Sequence, residues 1–480
     1  MASVDILTIE VGSTITKVNG FRRADGRLEH VAQGFAPTSV AQGDVGIGVD
    51  AAIADLERAY GGSVAGVTTY VNSSAAGGLR MTVHGLTVSM TARAAREASL
   101  GAGAIVQQVT AGALDEDDVE DVREIAPNII LLAGGVDHGE KKVVVDNARA
   151  LAPVAAELGV PVIYAGNSAA RRGVTRAFEE HGVELMLADN VFPAVDVLDV
   201  EPLRVLIHEV FNRHITRAAG MGRFAEITDR GILPTPGAVL RGAELFAAEL
   251  GDVLVVDVGG ATTDIHSVTE GSLEYAGKVL DPEPRAKRTV EGDLGVYVNA
   301  RNVVEAYGDE TWAARLDDLE AMPATDRQRE LTRWLCATAV QVGVKRHAGS
   351  LTDIYTPTGK KQVVRGKDLT AVRWVVATGG ALTRVEGSAE VLRSVCTGPG
   401  AHLLPEPTAR VLVDRDYLFS ALGTIGEELP DEVRATFRAW VAQADPEGAA
   451  AARHTAQTGD VGAEGTAAAD DADRTAEEQA

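Results

Sequence analysis

Two short segments place a carboxylate, a glycine turn and small hydroxyl residues in the same order. At 9–18 the chain reads IEVGSTITKV, and at 256–265 it reads VDVGGATTDI. A glycine turn can adopt φ > 0 and has no Cβ, so neighbouring backbone N–H groups can close on an anion. Gly12, Gly259, Gly260 and Ala261 are therefore the expected anion-binding turns, with the hydroxyls of Ser13, Thr14 and Thr262 as further donors. Glu10 and Asp257, at the ends of the preceding strands, are the expected catalytic acids. They would hold Mg²⁺ through water, because that ion dehydrates reluctantly. Lys17 either neutralises phosphate charge or is an exposed strand lysine. A third segment, Ala377-Thr378-Gly379-Gly380-Ala381, ends a strand in two glycines, so that a flat base or ribose could lie against Gly379, Gly380 and Ala381. One glycine-rich hairpin is usually only a turn. The repetition implies two similar lobes around one cleft.

The elements that would position these residues follow from periodicity. Residues 5–11 and 15–21 read as strands, Gly26 as a hairpin turn and 45–60 as a helix. The stretch 64–86 reads as strand, glycine turn, strand. NIILLAGG at 128–135 and PVIYAGN at 161–167 flank the helix-like 143–158, a βαβ unit that predicts a parallel sheet. Residues 201–250 look helical, broken by LPTPGAV at 233–239, and 300–348 are mostly helical. The expected layout is a first lobe at 1–104, an inserted α/β subdomain at 105–190, a helical connection at 191–250, a second lobe at 251–444 and a disordered acidic tail at 445–480. That tail carries nine acids against two arginines from Asp445 onward.

The chain has 480 residues and a formal net charge of −24. That field repels a phosphate backbone and an anionic membrane surface, so neither nucleic acid nor membrane is an expected partner. With aromatics at 4% the core must be aliphatic. Cys336 and Cys396 lack metal-ligand spacing, and the N-terminus lacks a basic region followed by an apolar run, which together suggest the cytoplasm. No apolar run is long enough to span a bilayer. HExxH, a Walker-type loop and a Ser-His-Asp arrangement are absent.

The three glycine segments resemble the phosphate-1, phosphate-2 and adenosine motifs of the actin, sugar-kinase and heat-shock-chaperone ATPase superfamily. The resemblance implies an α/β fold of two RNase-H-like lobes closing over Mg-ATP or Mg-ADP. Glu10 stands where that superfamily commonly has Asp. By the same analogy Lys345 and Arg346 would clamp adenosine; otherwise they are a solvated helix C-terminus, where basic residues suit the dipole.

NSSAAGGLRM (72–81), LLAGGVDHG (131–139), YAGN (164–167), RTVEGDLG (288–295) and RDYLFSALG (415–423) are similar to the accessory ATPase of glutamate mutase and its ornithine aminomutase relatives. This likeness spans roughly 5–425 and implies a reactivating protein that uses ATP to release damaged cobalamin. Its partner would be an adenosylcobalamin-dependent aminomutase, with a homo-oligomer left open and the insert as a candidate partner surface. Cobalamin itself would belong to the partner. The nearest approach to an Asp-X-His-X-X-Gly motif, at Asp264-Ile265-His266, lacks the glycine, and His266 reads as a strand histidine. Arg288, Glu291 and Asp293 either line the cleft or form a salt-bridged surface turn, and Ser73 and Ser74 read as part of a turn. Two alternatives use the same fold: a small-molecule kinase, which needs a substrate pocket and an acid to accept a hydroxyl proton, and a non-hydrolysing actin-like scaffold. The iron–sulfur ATPase type needs paired cysteines, which this chain lacks.

Overall fold

A central strand covered on both faces reads as a near-continuous apolar run, and this pattern picks out the middle of each sheet. In the computed structural model, which describes residues 3–75, 78–218, 220–357 and 359–450, strand β1 (Ile6–Val11) is buried along its whole length. It pairs antiparallel with β2 (Ile15–Ala24), which pairs antiparallel with β3 (Arg27–Pro37). Strand β4 (Thr68–Ser73) lies parallel to β1 on its other side.

The chain then leaves this sheet. Strands β5 (Arg80–Gly85), β6 (Ile105–Ala111), β7 (Ile129–Leu132), β8 (Val162–Tyr164) and β9 (Leu185–Leu187) form an all-parallel sheet in the order β6-β5-β7-β8-β9. Its outer helices pack on a cluster that includes Val122, Ile130, Leu132, Leu151 and Phe178. The chain returns as β10 (Ile232–Pro234), parallel to β4, completing the order β10-β4-β1-β2-β3.

The second lobe repeats this plan. Strands β11 (Val253–Val258), β12 (Thr263–Val268) and β13 (Ala286–Glu291) run antiparallel in succession. Strands β14 (Ser350–Thr356) and β15 (Gly359–Arg365) make a separate hairpin. Strand β16 (Trp374–Thr378) is parallel to β11, and β17 (Arg410–Val413) is parallel to β16. The order β13-β12-β11-β16-β17 matches the first sheet strand for strand. The fold is α/β, with two RNase-H-like lobes and an inserted parallel sheet.

Three expectations differ from what is observed. The stretch 64–86 is no hairpin: β4 already has β1 and β10 on its two edges, so β5 opens the parallel sheet. That sheet therefore begins at Arg80 rather than at 105. The break at 233–239 hides a strand, β10, followed by a helix over Thr235–Leu250 with proline in its first turn, where a missing N–H costs nothing. The expected tail begins in packed structure, since Asp445 pairs with Arg410 at 2.7 Å and Ala449 is buried. From 451 on it lies outside the described residues.

Two helices bind the lobes together. Thr235–Leu250 crosses Leu418–Ile425 at glycine contacts. A Cβ on Gly423 would lie 1.8 Å from the Ala238 carbonyl oxygen, and one on Gly242 would lie 2.4 Å from that of Phe419. The resulting core joins Ile6, Phe21 and Tyr70 of the first lobe to Val253, Val255 and Trp374 of the second through Phe246 and Phe419. Gly423→Ala should therefore cost about 1–3 kcal/mol or more through overpacking. Gly277→Ala, where a Cβ meets nothing within 4 Å, should stay within about 0.5 kcal/mol. Denaturant unfolding of both variants checks this; equal stabilities would contradict the crossing.

Candidate functional site

The β1–β2 and β11–β12 turns are built alike. The Gly12 N–H donates to the Ile15 carbonyl at 3.1 Å, and the Gly259 N–H donates to that of Thr262 at 2.9 Å. One of the two reasons expected for their glycines needs correction: Gly12, Gly259 and Gly260 are not in the positive-φ region. Room is what Gly12 and Gly259 supply. A Cβ would come 2.8 Å from the Ile15 oxygen at Gly12 and 3.0 Å from the Thr262 oxygen at Gly259.

The carbonyls of both turns are tied down from behind. Val11 accepts from the Ser74 N–H and the Ser73 hydroxyl, and Gly12 accepts from the Thr38 hydroxyl. On the other turn Gly259 accepts from Val296, Gly260 from Tyr297 and Val298, and Ala261 from the Asn299 amide. The N–H groups of Ser13, Thr14, Gly260 and Ala261 have no acceptor among the described residues. The turns face one another, since a Cβ built on Gly260 would stand 3.7 Å from Thr14 Oγ1. Two opposed pairs of unused donors could cradle an anion.

The third segment closes against the second. Gly379 has φ +84°, and a Cβ there would lie 2.2 Å from Asp257 Oδ1, so only glycine lets the strand end approach this acid. Gly380 is exposed beside it and Ala381 is half-buried.

Asp257 sits deep in the cleft with part of its surface open. Burial, then the charges of Asp264 and Glu10, push its carboxyl up to about 7 against the pull of Lys17 and Arg288. Asp264 is its antiparallel partner on β12. Arg288 donates to Asp264 Oδ1 at 2.7 Å through Nε, and the Thr262 hydroxyl donates to Oδ2 at 3.1 Å. Glu10 has no such freedom: Lys17 donates to Oε1 at 2.5 Å, and the Ser420 hydroxyl donates to Oε2. The Lys17 ammonium stands 4.1 Å from the centre of the Tyr417 ring. Burial alone would lower Lys17, but Glu10, Tyr417 and Asp257 outweigh it and hold it above its ordinary value. Three carboxylates thus converge on two cations, and Asp257 is the one left without a direct partner charge.

A divalent cation fits this arrangement, because it would supply the counter-charge that Asp257 lacks where burial and the charges of Asp264 and Glu10 raise its carboxyl. Among the described residues no three His, Cys, Asp or Glu side chains converge as a direct metal cage. Asp257 could hold such an ion with water completing its shell. No helix among these residues is long and apolar enough to cross a membrane.

Residues 6–441 match the family model described as MutL protein. The chain belongs to the MutL protein family. Protein MutL of Clostridium tetanomorphum is 34% identical over 452 residues, covering 89% of this chain and 96% of that one. Among solved structures, a nucleotide-free acetone carboxylase is 14% identical with a TM-score of 0.41, covering 88% of this chain and 70% of that one. A glycerol dehydratase reactivase is 10% identical with a TM-score of 0.33, covering 88% and 99%.

In this MutL-family chain the remaining candidates separate. Lys17 is buried, so the exposed-strand alternative fails. Arg346, at the end of the helix Asp326–His347, is held by Glu291 at 2.6 Å and Asp293 at 2.8 Å, and Lys345 beside it is exposed. The surface-turn reading therefore suits Asp293 but not Glu291, the largely buried last residue of β13, nor Arg288, which is buried on β13 opposite His266. Cys336 and Cys396 are buried free thiols. Sequence reasoning overlooked Asp264, Tyr417 and Ser420. The repeat contained the signal for Asp264, since it follows Asp257 by the same interval at which Lys17 follows Glu10. Asp414, also overlooked, is pushed up to about 6 by burial and accepts from the Leu418 and Phe419 N–H groups, starting the helix that carries Ser420.

The Asp257 shift has a consequence for stability. An acid whose pKa is raised on folding binds more protons folded than unfolded, so its contribution is lost as pH rises from its unfolded value of roughly 4 towards 7. In metal-free protein, Asp257→Asn should thus gain stability relative to the wild type between pH 5 and 8, by an amount of order 1 kcal/mol or more. Thermal unfolding at both pH values measures it; a constant difference would contradict the shift.

Proposed function

We propose that this chain is an ATP-binding and ATP-hydrolysing accessory protein that reactivates an adenosylcobalamin-dependent aminomutase by releasing damaged cobalamin. The observation that carries the nucleotide part is the pair of opposed turns with free N–H groups, set over a carboxyl that lacks a counter-charge and closed by Gly379. Ser13, Thr14, Gly260 and Ala261 would bind the phosphate oxygens through their backbone N–H groups. Gly379, Gly380 and Ala381 would present backbone to the nucleoside. Asp257 would hold the hydrated Mg²⁺ and orient the attacking water, while Glu10, fixed by Lys17 and Ser420, would keep the first turn in place. Bound Mg²⁺ supplies charge neutralisation on the phosphate oxygens, and phosphoryl transfer of this kind needs positioning and electrostatics more than covalent chemistry.

The partner is proposed from the likeness of segments 72–81, 131–139, 164–167, 288–295 and 415–423 to the accessory ATPase of glutamate mutase, together with membership of the MutL protein family. Lobe closure about the crossing of Thr235–Leu250 and Leu418–Ile425 would move the inserted sheet, which offers the partner-facing surface.

Mixing the protein, Mg-ATP and an aminomutase loaded with cyanocobalamin should release the inactive cofactor in an ATP-dependent manner. Asp257→Ala should reduce ATP turnover by about a hundredfold or more and abolish the release. Near-normal turnover in that variant would refute the role of Asp257. Phosphorylation of a metabolite without any mutase would instead identify a kinase.

A further inference from the structure

A buried arginine is costly to keep without several acceptors, so the acceptors of Arg288 show what it connects. Its Nε and Nη2 lie 2.7 and 2.5 Å from Asp264 Oδ1. Its Nη1 donates at 2.9 Å to the carbonyl of Leu100 and lies 3.3 Å from that of Ala104. Leu100 is near the end of the helix Arg93–Gly101, and Ala104 immediately precedes β6, so both belong to the first crossover of the inserted sheet. Asp264 Oδ2 receives the Thr262 hydroxyl of the second turn. Successive hydrogen bonds therefore run from that turn, through Asp264 and the Arg288 fork, to the insert.

We propose that Arg288 is a positioning residue that couples phosphate occupancy of the second turn to the β5–β6 crossover of the inserted sheet. The inference rests on the reading that a nucleotide phosphate occupies that turn. A threonine hydroxyl has one proton to donate. With the turn empty, Thr262 gives it to Asp264. With a phosphate oxygen in the cradle, the proton serves the phosphate, and Asp264 Oδ2 loses its partner in a buried setting where such a loss is felt strongly. The carboxylate then turns towards its remaining donor, the Arg288 fork, whose other arm holds the Leu100 and Ala104 carbonyls. Because the guanidinium is planar and rigid, a rotation that follows Asp264 changes the grip on the insert. Lysine keeps the charge next to Asp264 but has no fork with which to hold both ends.

Amide hydrogen exchange of the full chain, with and without saturating Mg-AMP-PNP, tests this, with occupancy matched by a fluorescent nucleotide. In the wild type, exchange at 98–106 should change by about fivefold or more on binding, the lower range of measured couplings. In Arg288→Lys, and in Arg288→Gln if it folds, the change at matched occupancy should fall below about twofold, even though nucleotide still binds. An undiminished response in Arg288→Lys would overturn the proposal, as would a wild type that binds nucleotide without responding at 98–106. Loss of nucleotide binding in folded Arg288→Lys would also overturn it, by making Arg288 part of the binding site. If the wild type binds no Mg-nucleotide, the proposed function fails as well.

Discussion

The structure depends on how three carboxylates are kept together at the floor of one cleft. Burying ionised acids side by side is unfavourable unless each finds a cation or keeps its proton. Here each solves the problem differently. Glu10 takes Lys17 and the Ser420 hydroxyl, Asp264 takes Arg288, and Asp257 keeps its proton part of the time near neutral pH because its carboxyl is raised to about 7. The first two are structural solutions that fix the lobes' inner edges. The third is an unresolved charge, and it lies between the donor-lined turns where a metal–phosphate group would resolve it.

The two halves of the repeat have accordingly diverged. At the position seven residues after the acid, the first lobe has a lysine and the second an aspartate. Lys17 closes the first half on itself, with Tyr417 over its ammonium. Asp264 opens the second half outward, through Arg288, to the inserted sheet. Identical strand order in the two lobes therefore supports different chemistry, a reminder that function lives in the side chains placed on a fold rather than in the fold.

How much of this was legible in the sequence depends on how local each feature is. The turns at Gly12 and Gly259 were readable because acid, glycine and hydroxyls lie within a few residues of one another. The third segment was readable for the same reason. The partners of Glu10 were not: Ser420 lies 410 positions away and reaches it only because Asp414 starts a buried helix at the lobe interface. Arg288 looked like part of a charged turn because Glu291 and Asp293 follow it, and only the β12–β13 register buries it. Strand β5 looked like half of a hairpin, since parallel pairing leaves no turn signature, and the three residues of β10 are too few for any periodicity. The glycines of the turns were correctly singled out, and of the two properties expected of them the missing Cβ is the one that Gly12 and Gly259 use, while none takes a positive φ.

The most direct test is a proton count. If Asp257 titrates near 7 and loses its proton to the buffer when a metal–nucleotide complex binds, binding of non-hydrolysable Mg-AMP-PNP at pH 7 should release about half a proton per site beyond that seen for Asp257→Asn. Calorimetric titration in buffers of different ionisation enthalpy measures that difference. A difference near half a proton that shrinks as pH rises to 9 is the predicted result; equal proton release by the wild type and Asp257→Asn would contradict the account.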